Sequence, residues 1–95
     1  MSGFTLSIRR VDDEAHPTIA ERLLLEVDWA HLPRTGERVT VGGGHELGFT
    51  VCDVFHEDDN VAVDLGTKAI DERIVEDLAL CGWTRRPMSV GALAG

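Results

Sequence analysis

The chain has 95 residues, 43% of them hydrophobic and 27% charged, and its formal net charge at pH 7 is −8. This length and composition predict one folded domain with a single core, and they exclude a chain that is disordered throughout. The negative charge argues against binding to nucleic acid or to anionic lipid, because both require a basic protein surface.

Two segments in the first third of the chain have the two-residue period of a β-strand. In the first segment, Phe4, Leu6 and Ile8 alternate with polar residues. The second segment covers residues 23–30, and its predicted core-facing side chains are Leu23, Leu25, Val27 and Trp29. Charged residues between the two segments predict a loop over residues 12–18.

The sequence LPRTG at residues 32–36 fits the pattern that sortases cleave in bacterial surface proteins. A sorting signal lies near the C-terminus and is followed by an apolar stretch and a basic tail, whereas this pentapeptide lies in the first half of the chain. Pro33 fixes its backbone φ angle and Gly36 tolerates a positive one. These residues therefore predict a turn.

The middle of the chain contains three further strand signals separated by turn-forming residues. Residues 39–41 form a short strand, and the glycines Gly42–Gly44 behind it predict a hairpin tip or a close backbone approach. Residues 47–56 predict one strand whose alternation slips, so a β-bulge is expected at Cys52–Asp53. Residues 61–65 alternate again and form the fifth predicted strand.

An amphipathic helix is predicted over residues 68–81, where apolar side chains recur every three or four positions. These side chains are Ile70, Ile74, Leu78 and Cys81. Thr67 is expected to cap the start of the helix. Gly82 is expected to end it in a left-handed conformation, with Trp83 packed back on Leu78. Residues 88–95 are predicted to be a flexible tail behind a single domain of residues 1–87.

Five strands followed by one helix predict a mainly β fold. Because strands and helices do not alternate along the chain, a parallel βαβ topology is excluded, and consecutive strands are expected to pair antiparallel. The favoured architecture is a small antiparallel five-stranded SH3-like barrel or roll with one C-terminal helix. The second interpretation is an open antiparallel α+β sheet with the helix on one face.

Few residues are candidates for metal ligands or catalytic groups, and their spacing matches no known metal-binding or catalytic motif. His45, Cys52 and His56 are weak candidates for metal ligands, because zinc prefers histidine and cysteine, but no C-x₂-C or H-x₃-H pair occurs. Cys52 with His56 or His31 would be a nucleophilic pair, yet Cys52 and Cys81 lie in apolar runs that indicate buried thiols in a reducing cytosol. The acidic residues 57–64 lack the glycine and the spacing of a calcium loop. We therefore expect no metal, no cofactor and no catalytic residue.

The residues best suited to contact a partner are Leu24, Ala30, Arg85 and Arg86. The first two lie on the outer side of the second predicted strand and, with Ala62, would form an apolar patch, while arginine is a common anchor at interfaces. No membrane span or signal peptide is apparent. The favoured function is a small acidic cytoplasmic protein-interaction module, with homodimerisation as one form of it. The alternative is a small-ligand-binding or accessory enzyme domain that uses the barrel mouth near His31 and Gly42–His45.

Overall fold

The computed structural model describes residues 3–41, 46–57 and 59–88, which form seven strands and one helix. In chain order these are β1 (Phe4–Val11), β2 (Ala20–Val27), β3 (Arg38–Val41), β4 (Leu47–Thr50), β5 (Asp53–Glu57), β6 (Asn60–Ala69), α1 (Glu72–Leu80) and β7 (Thr84–Pro87). The predicted mainly β character is confirmed. The Gly42–Gly44 loop, His45 and the predicted tail from residue 89 onward lie outside the described residues.

The strands form two sheets: a five-stranded sheet with the order β5-β6-β1-β2-β7 and a two-stranded sheet of β3 and β4. Within the larger sheet, β1 pairs antiparallel with β2, β2 with β7, and β5 with β6. The central pair, β1 and β6, is parallel. The prediction of purely antiparallel, sequential pairing was therefore wrong: the β1–β6 pair is parallel, and both β1–β6 and β2–β7 join strands that are not consecutive in the chain. In the described part of the chain β5 and β7 are the two sheet edges, so these strands form an open mixed sheet and not a closed barrel.

The alternation in β1 divides the five-stranded sheet into two faces. Phe4, Leu6 and Ile8 point to one face and are almost fully buried, whereas Thr5 and Ser7 point to the other and are half-buried. We call these the inner face and the outer face. Helix α1 and the two-stranded sheet cover the inner face, where they contribute Val75, Leu78, Val39 and Phe49 to the core. Burial of each large apolar side chain stabilises the fold by about 1.5–3 kcal/mol.

A bulge lies in β6 and not at the predicted position. Ser7 pairs with Asp64 but Arg9 pairs with Thr67, so β6 carries one extra residue next to Gly66. Gly66 has a φ angle of 87°, and a Cβ atom there would lie 3.0 Å from the Sγ of Cys52. Glycine therefore meets both a backbone and a steric requirement at this bulge.

The segment 47–56 was predicted to be one bulged strand, but it contributes to two strands in different sheets. β4 ends at Thr50 and β5 begins at Asp53. Between them, Val51 donates its backbone N–H to the carbonyl of Glu37 at 2.9 Å, and Cys52 donates to the carbonyl of Asp64 at 2.8 Å. Each linking residue thus bonds to a different part of the fold, and this explains the slip in the alternation.

The helix is shorter than predicted at its start. It covers Glu72–Leu80, and its N-cap is Asp71, whose side chain accepts a hydrogen bond from the backbone N–H of Arg73 at 2.8 Å. The predicted cap, Thr67, lies within β6, because β6 continues past Gly66 and pairs with β1 as far as Ala69. Pairing with β1 therefore extends the strand into a segment that the apolar spacing assigned to the helix.

The predicted C-terminal end of the helix is confirmed. Gly82 has a φ angle of 110°, and its N–H donates to the carbonyl of Ala79 at 3.2 Å. The N–H of Trp83 donates to the carbonyl of Leu78 at 3.1 Å, and the indole belongs to the buried core. This is the Schellman arrangement. It returns the chain towards β2, where residues 84–87 form the unpredicted edge strand β7.

The turn predicted for LPRTG is also confirmed. Gly36 has a φ angle of 89°, and Glu37 donates its N–H to the carbonyl of Arg34 at 2.9 Å. Gly36 itself donates to the carbonyl of Val51 at 2.8 Å. The turn is thereby held against the segment that links β4 to β5.

Candidate interaction surface

The outer face of the five-stranded sheet is not covered by any other element in the described ranges. Its side chains form rows across the strands, because residues that are directly paired point to the same face. One row contains Thr67, Arg9, Arg22 and Arg86; the next contains Asp64, Ser7, Leu24 and Thr84; a third contains Phe55, Ala62, Thr5 and Glu26. The outer face is therefore mixed in polarity, with its positive charge concentrated in one row.

We call Arg9, Arg22 and Arg86 the arginine row. Arg9 on β1 is paired with Arg22 on β2, and Arg22 is paired with Arg86 on β7. Side chains in such positions have Cβ atoms about 4.5–5.5 Å apart, and like charges there are destabilising. The sequence places three guanidinium groups abreast at a local cost in stability.

Only one member of the arginine row is neutralised by a described residue. Arg9 forms an ion pair with Asp64 at 3.3 Å, while its Nε atom is buried without a hydrogen-bond partner in the described structure. Arg22 and Arg86 are exposed and make no hydrogen bond or ion pair with any residue in the described ranges. Two guanidinium groups are thus free to bind an external anion.

A depression follows the row along the middle of the outer face. Its floor consists of the small side chains of Ser7 and Ala62, which are shared by two adjoining cavities of about 840 and 340 Å³. Leu24 and Arg86 line the larger cavity, and Phe55 lines the smaller one. We call this depression the outer-face trough. It is long and open, and so it suits a segment of a macromolecule better than an enclosed small ligand.

The structure brings together some of the interaction candidates and separates others. Leu24 and Arg86 both lie on the outer face and line the trough, as does Ala62. Ala30 lies beyond the end of β2 and lines a different cavity, next to Trp29. Arg85 belongs to an ion-pair network with Glu21 and Glu72 and not to the outer face.

That network joins four elements on the inner side of the sheet through four charged side chains, which are Arg10, Glu21, Glu72 and Arg85. Arg85 binds both carboxylates in a bidentate manner, at 2.7 and 2.9 Å to Glu21 and at 2.7 and 3.1 Å to Glu72. These hydrogen bonds raise the pKa of Arg85 and lower the pKa of Glu72. The network fixes β7 and α1 against β1 and β2, so its role is structural.

The sequence analysis did not predict this ion-pair network, although the position of Arg10 in the alternation of β1 indicated a buried charge. Arg10 continues the even-numbered alternation of Phe4, Leu6 and Ile8, which places it on the inner face. A buried arginine requires a carboxylate partner. The partner, Glu21, lies directly opposite on β2, and that register is not visible in the sequence.

The cysteines and histidines are arranged differently from what the sequence indicated. Cys52 and Cys81 were expected to be buried, but both are exposed free thiols, because Cys52 lies in the link between strands and Cys81 at the helix C-cap. Cys52 is within hydrogen-bond distance of the carbonyl of Thr50 at 3.8 Å. His56 is exposed on the edge strand β5. No group of three or more histidine, cysteine or acidic side chains in the described ranges is placed to hold a metal ion.

A further cavity is lined by His31, which the sequence placed at the alternative site. It has a volume of about 470 Å³ and is lined by residues that include Trp29, His31, Pro33 and Glu37. Trp29 was expected to face the core, but it is 38% exposed and contacts Phe4 edge-on with ring centroids 5.7 Å apart. The Nε2 of His31 lies 3.0 Å from the carboxylate of Glu37, and this contact lowers the pKa of Glu37.

No family model matches the chain, and no curated protein or solved structure is significantly similar to it. No described helix is long and apolar enough to cross a membrane.

Proposed function

We propose that the chain is a cytoplasmic protein-interaction module without catalytic activity, and that it binds its partner through the outer-face trough. One observation carries the proposal: Arg9, Arg22 and Arg86 stand abreast, and two of the three have no partner in the described ranges. Features that reduce stability without a local gain are typical of functional sites. The trough beside the row supplies the apolar contacts, through Leu24 and Phe55, that an interface also requires.

The proposal can be tested by site-specific photo-crosslinking in the cells that produce the protein. A photoreactive side chain at Thr84, on the exposed rim of the trough, is expected to give a discrete protein adduct. The same group at Glu76, which is exposed on helix α1 away from the outer face, is the matched control and is expected to give none.

A third variant shows whether the trough itself is occupied. Ser7→Trp places an indole on the trough floor and is expected to abolish the Thr84 adduct, provided that circular dichroism shows a native spectrum. The proposal is wrong if Thr84 gives no adduct, if Glu76 gives the same one, or if the adduct persists in folded Ser7→Trp.

A small-ligand site at the cavity beside Trp29 is the second candidate. It is favoured by an exposed indole next to the hydrogen-bonded side chains of His31 and Glu37, since aromatic and polar groups together can orient a small molecule. A ligand bound there would change the fluorescence of Trp29 and leave Thr84 crosslinking intact. These two readouts separate the candidates.

A further inference from the structure

We infer that the partner presents an acidic α-helix, which lies across β1, β2 and β7 with its carboxylates on the arginine row. This inference rests on the proposed function and specifies the chemistry of the partner. It follows from the spacing of the row, from the charge of the chain and from the shape of the trough.

The spacing of the row matches a helix better than other anionic ligands. Neighbouring strands lie about 4.8 Å apart, so three paired arginines extend over about 10 Å, which is too far for one phosphate or carboxylate group. Acidic residues at positions i, i+4 and i+7 of a helix share one face and extend over about 10.5 Å. Three alternate carboxylates on an extended strand would cover about 13 Å and lose register with the row.

The charge of the chain selects against nucleic acid and favours carboxylates. With a net charge of −8, the chain repels a long polyanion at most points of its surface. A short acidic helix can place its carboxylates on the row alone, where Arg22 and Arg86 are exposed and can each bind a carboxylate in a bidentate manner, and keep its uncharged side over the trough, which Glu26 and Asp64 also line.

The trough next to the row accommodates the apolar side of such a helix. Ser7 is small and Leu24 is apolar, and both belong to the row of residues adjacent to the arginines. A leucine at position i+3 of the helix would lie beside its carboxylate stripe and above these two residues. The recognised segment is therefore amphipathic: acidic at i, i+4 and i+7, and apolar at i+3.

The described part of a second copy of this chain does not offer such a helix. In α1, Glu72 is already bound to Arg10 and Arg85, and Arg73 places a positive charge in the same turn. The helix therefore lacks three available carboxylates in one stripe. Self-association through the row is accordingly an outcome that would contradict the inference.

The inference is tested with a stapled helical peptide titrated onto the 95-residue chain. The probe has Glu at i, i+4 and i+7 and Leu at i+3; a control peptide has Gln at the three acidic positions, and a second has the same composition with the acids distributed around the helix. Fluorescence anisotropy is expected to show binding of the probe alone, and weaker binding at about 200 mM than at about 50 mM salt.

Charge-reversal variants locate the binding. Arg22→Glu, at the centre of the row, is expected to weaken binding of the probe by at least about tenfold. Arg73→Glu is the matched control, because it makes the same charge change at an exposed arginine on the opposite side of the fold, and it is expected to leave the affinity within about twofold.

The results separate failure of this inference from failure of the proposed function. If Thr84 crosslinks to a partner but the probe binds no better than its Gln control, the interaction stands and the acidic helix is wrong. The inference is equally overturned if a single-stranded oligonucleotide binds more tightly than the probe with the same dependence on Arg22. Concentration-dependent sedimentation that disappears in Arg22→Glu would identify a second copy as the occupant and would also overturn it.

Discussion

The single carboxylate of Glu21 forms ion pairs with two arginines. It accepts a hydrogen bond from buried Arg10 at 2.8 Å and two from Arg85, at 2.7 and 2.9 Å. Arg10 is only 2% exposed; it also donates to the carbonyl of Ile70 at 2.8 Å and forms a longer ion pair with Glu72 at 3.4 Å. A buried guanidinium is tolerated only while a carboxylate neutralises it. The stability of this corner of the fold therefore depends mainly on Glu21, because Glu72 lies farther from Arg10 and its side chain is about half exposed.

The corresponding prediction concerns the substitution Glu21→Gln. It preserves the size of the side chain but leaves buried Arg10 with only the more distant, half-exposed carboxylate of Glu72, so we expect the free energy of unfolding to fall by about 3 kcal/mol. Urea denaturation followed by circular dichroism measures this change. Glu26→Gln, at an exposed position on the outer face of the same strand, is the control and should stay within about 0.5 kcal/mol. Equal effects of the two substitutions would contradict the role given to Glu21.

The boundary between β6 and α1 shows how two elements compete for the same residues. Apolar spacing placed the centre of the helix correctly, around Ile74 and Leu78. It did not locate the start, because Lys68 and Ala69 pair with β1, and that pairing is a tertiary contact. Asp71 is the first residue after the strand that can cap the helix. The end of the helix was predictable because Gly82 and Trp83 determine it locally.

Alanine substitution distinguishes the observed N-cap, Asp71, from the N-cap expected from the sequence, Thr67. Asp71→Ala removes the hydrogen bond to the backbone N–H of Arg73, and we expect the free energy of unfolding to fall by about 1 kcal/mol. Thr67→Ala, at an exposed position in β6, is expected to cost less than half of that. Chemical denaturation of both variants provides the comparison. A larger loss for Thr67→Ala would show that the helix begins earlier than the structure places it.

For the whole molecule, the sequence predicted the elements that are determined by contacts between residues close together in the chain. It did not predict those determined by contacts between distant segments. β1 and β2 were predicted because apolar and polar side chains alternate within each segment, and this alternation follows from one buried face. β7 was not, because all four of its residues are exposed and leave no alternation to detect. The sheet order was partly missed, since the parallel pairing of β1 with β6 joins residues far apart in the chain.

The candidate surface was predictable to the same limited extent. Leu24 and Arg86 were identified as interaction candidates from their residue types and positions, and both line the trough. The arginine row itself depends on the register of three strands, one of which was unpredicted. The composition argued against a basic site, because the net charge of −8 is a sum over the whole chain. That sum does not show that three arginines are adjacent on one face.

The dependence of stability on pH follows from three carboxyl groups whose pKa values are lowered in the folded chain. Asp12 accepts hydrogen bonds from Thr18 and Ile19, Glu37 pairs with His31, and Glu72 pairs with Arg85. A lowered pKa means that the unfolded chain binds protons at a higher pH than the folded one. These groups therefore contribute stability above their ordinary pKa values, near pH 4, and the contribution is lost as the pH falls through the folded values.

A second effect of acid acts in the opposite direction, and the melting temperature shows which one prevails. Protonation reduces the net charge of −8 and relieves repulsion, which would stabilise the fold. At about 0.15 M salt the screening length is about 8 Å, so that repulsion is weak while the short hydrogen bonds persist. We expect a nearly constant melting temperature from pH 7 to pH 5 and a fall below about pH 4. Calorimetry at these pH values measures it, and Glu72→Gln should reduce the size of the fall. A melting temperature that rises between pH 5 and pH 3 would mean that relief of repulsion outweighs the lost carboxylate contacts.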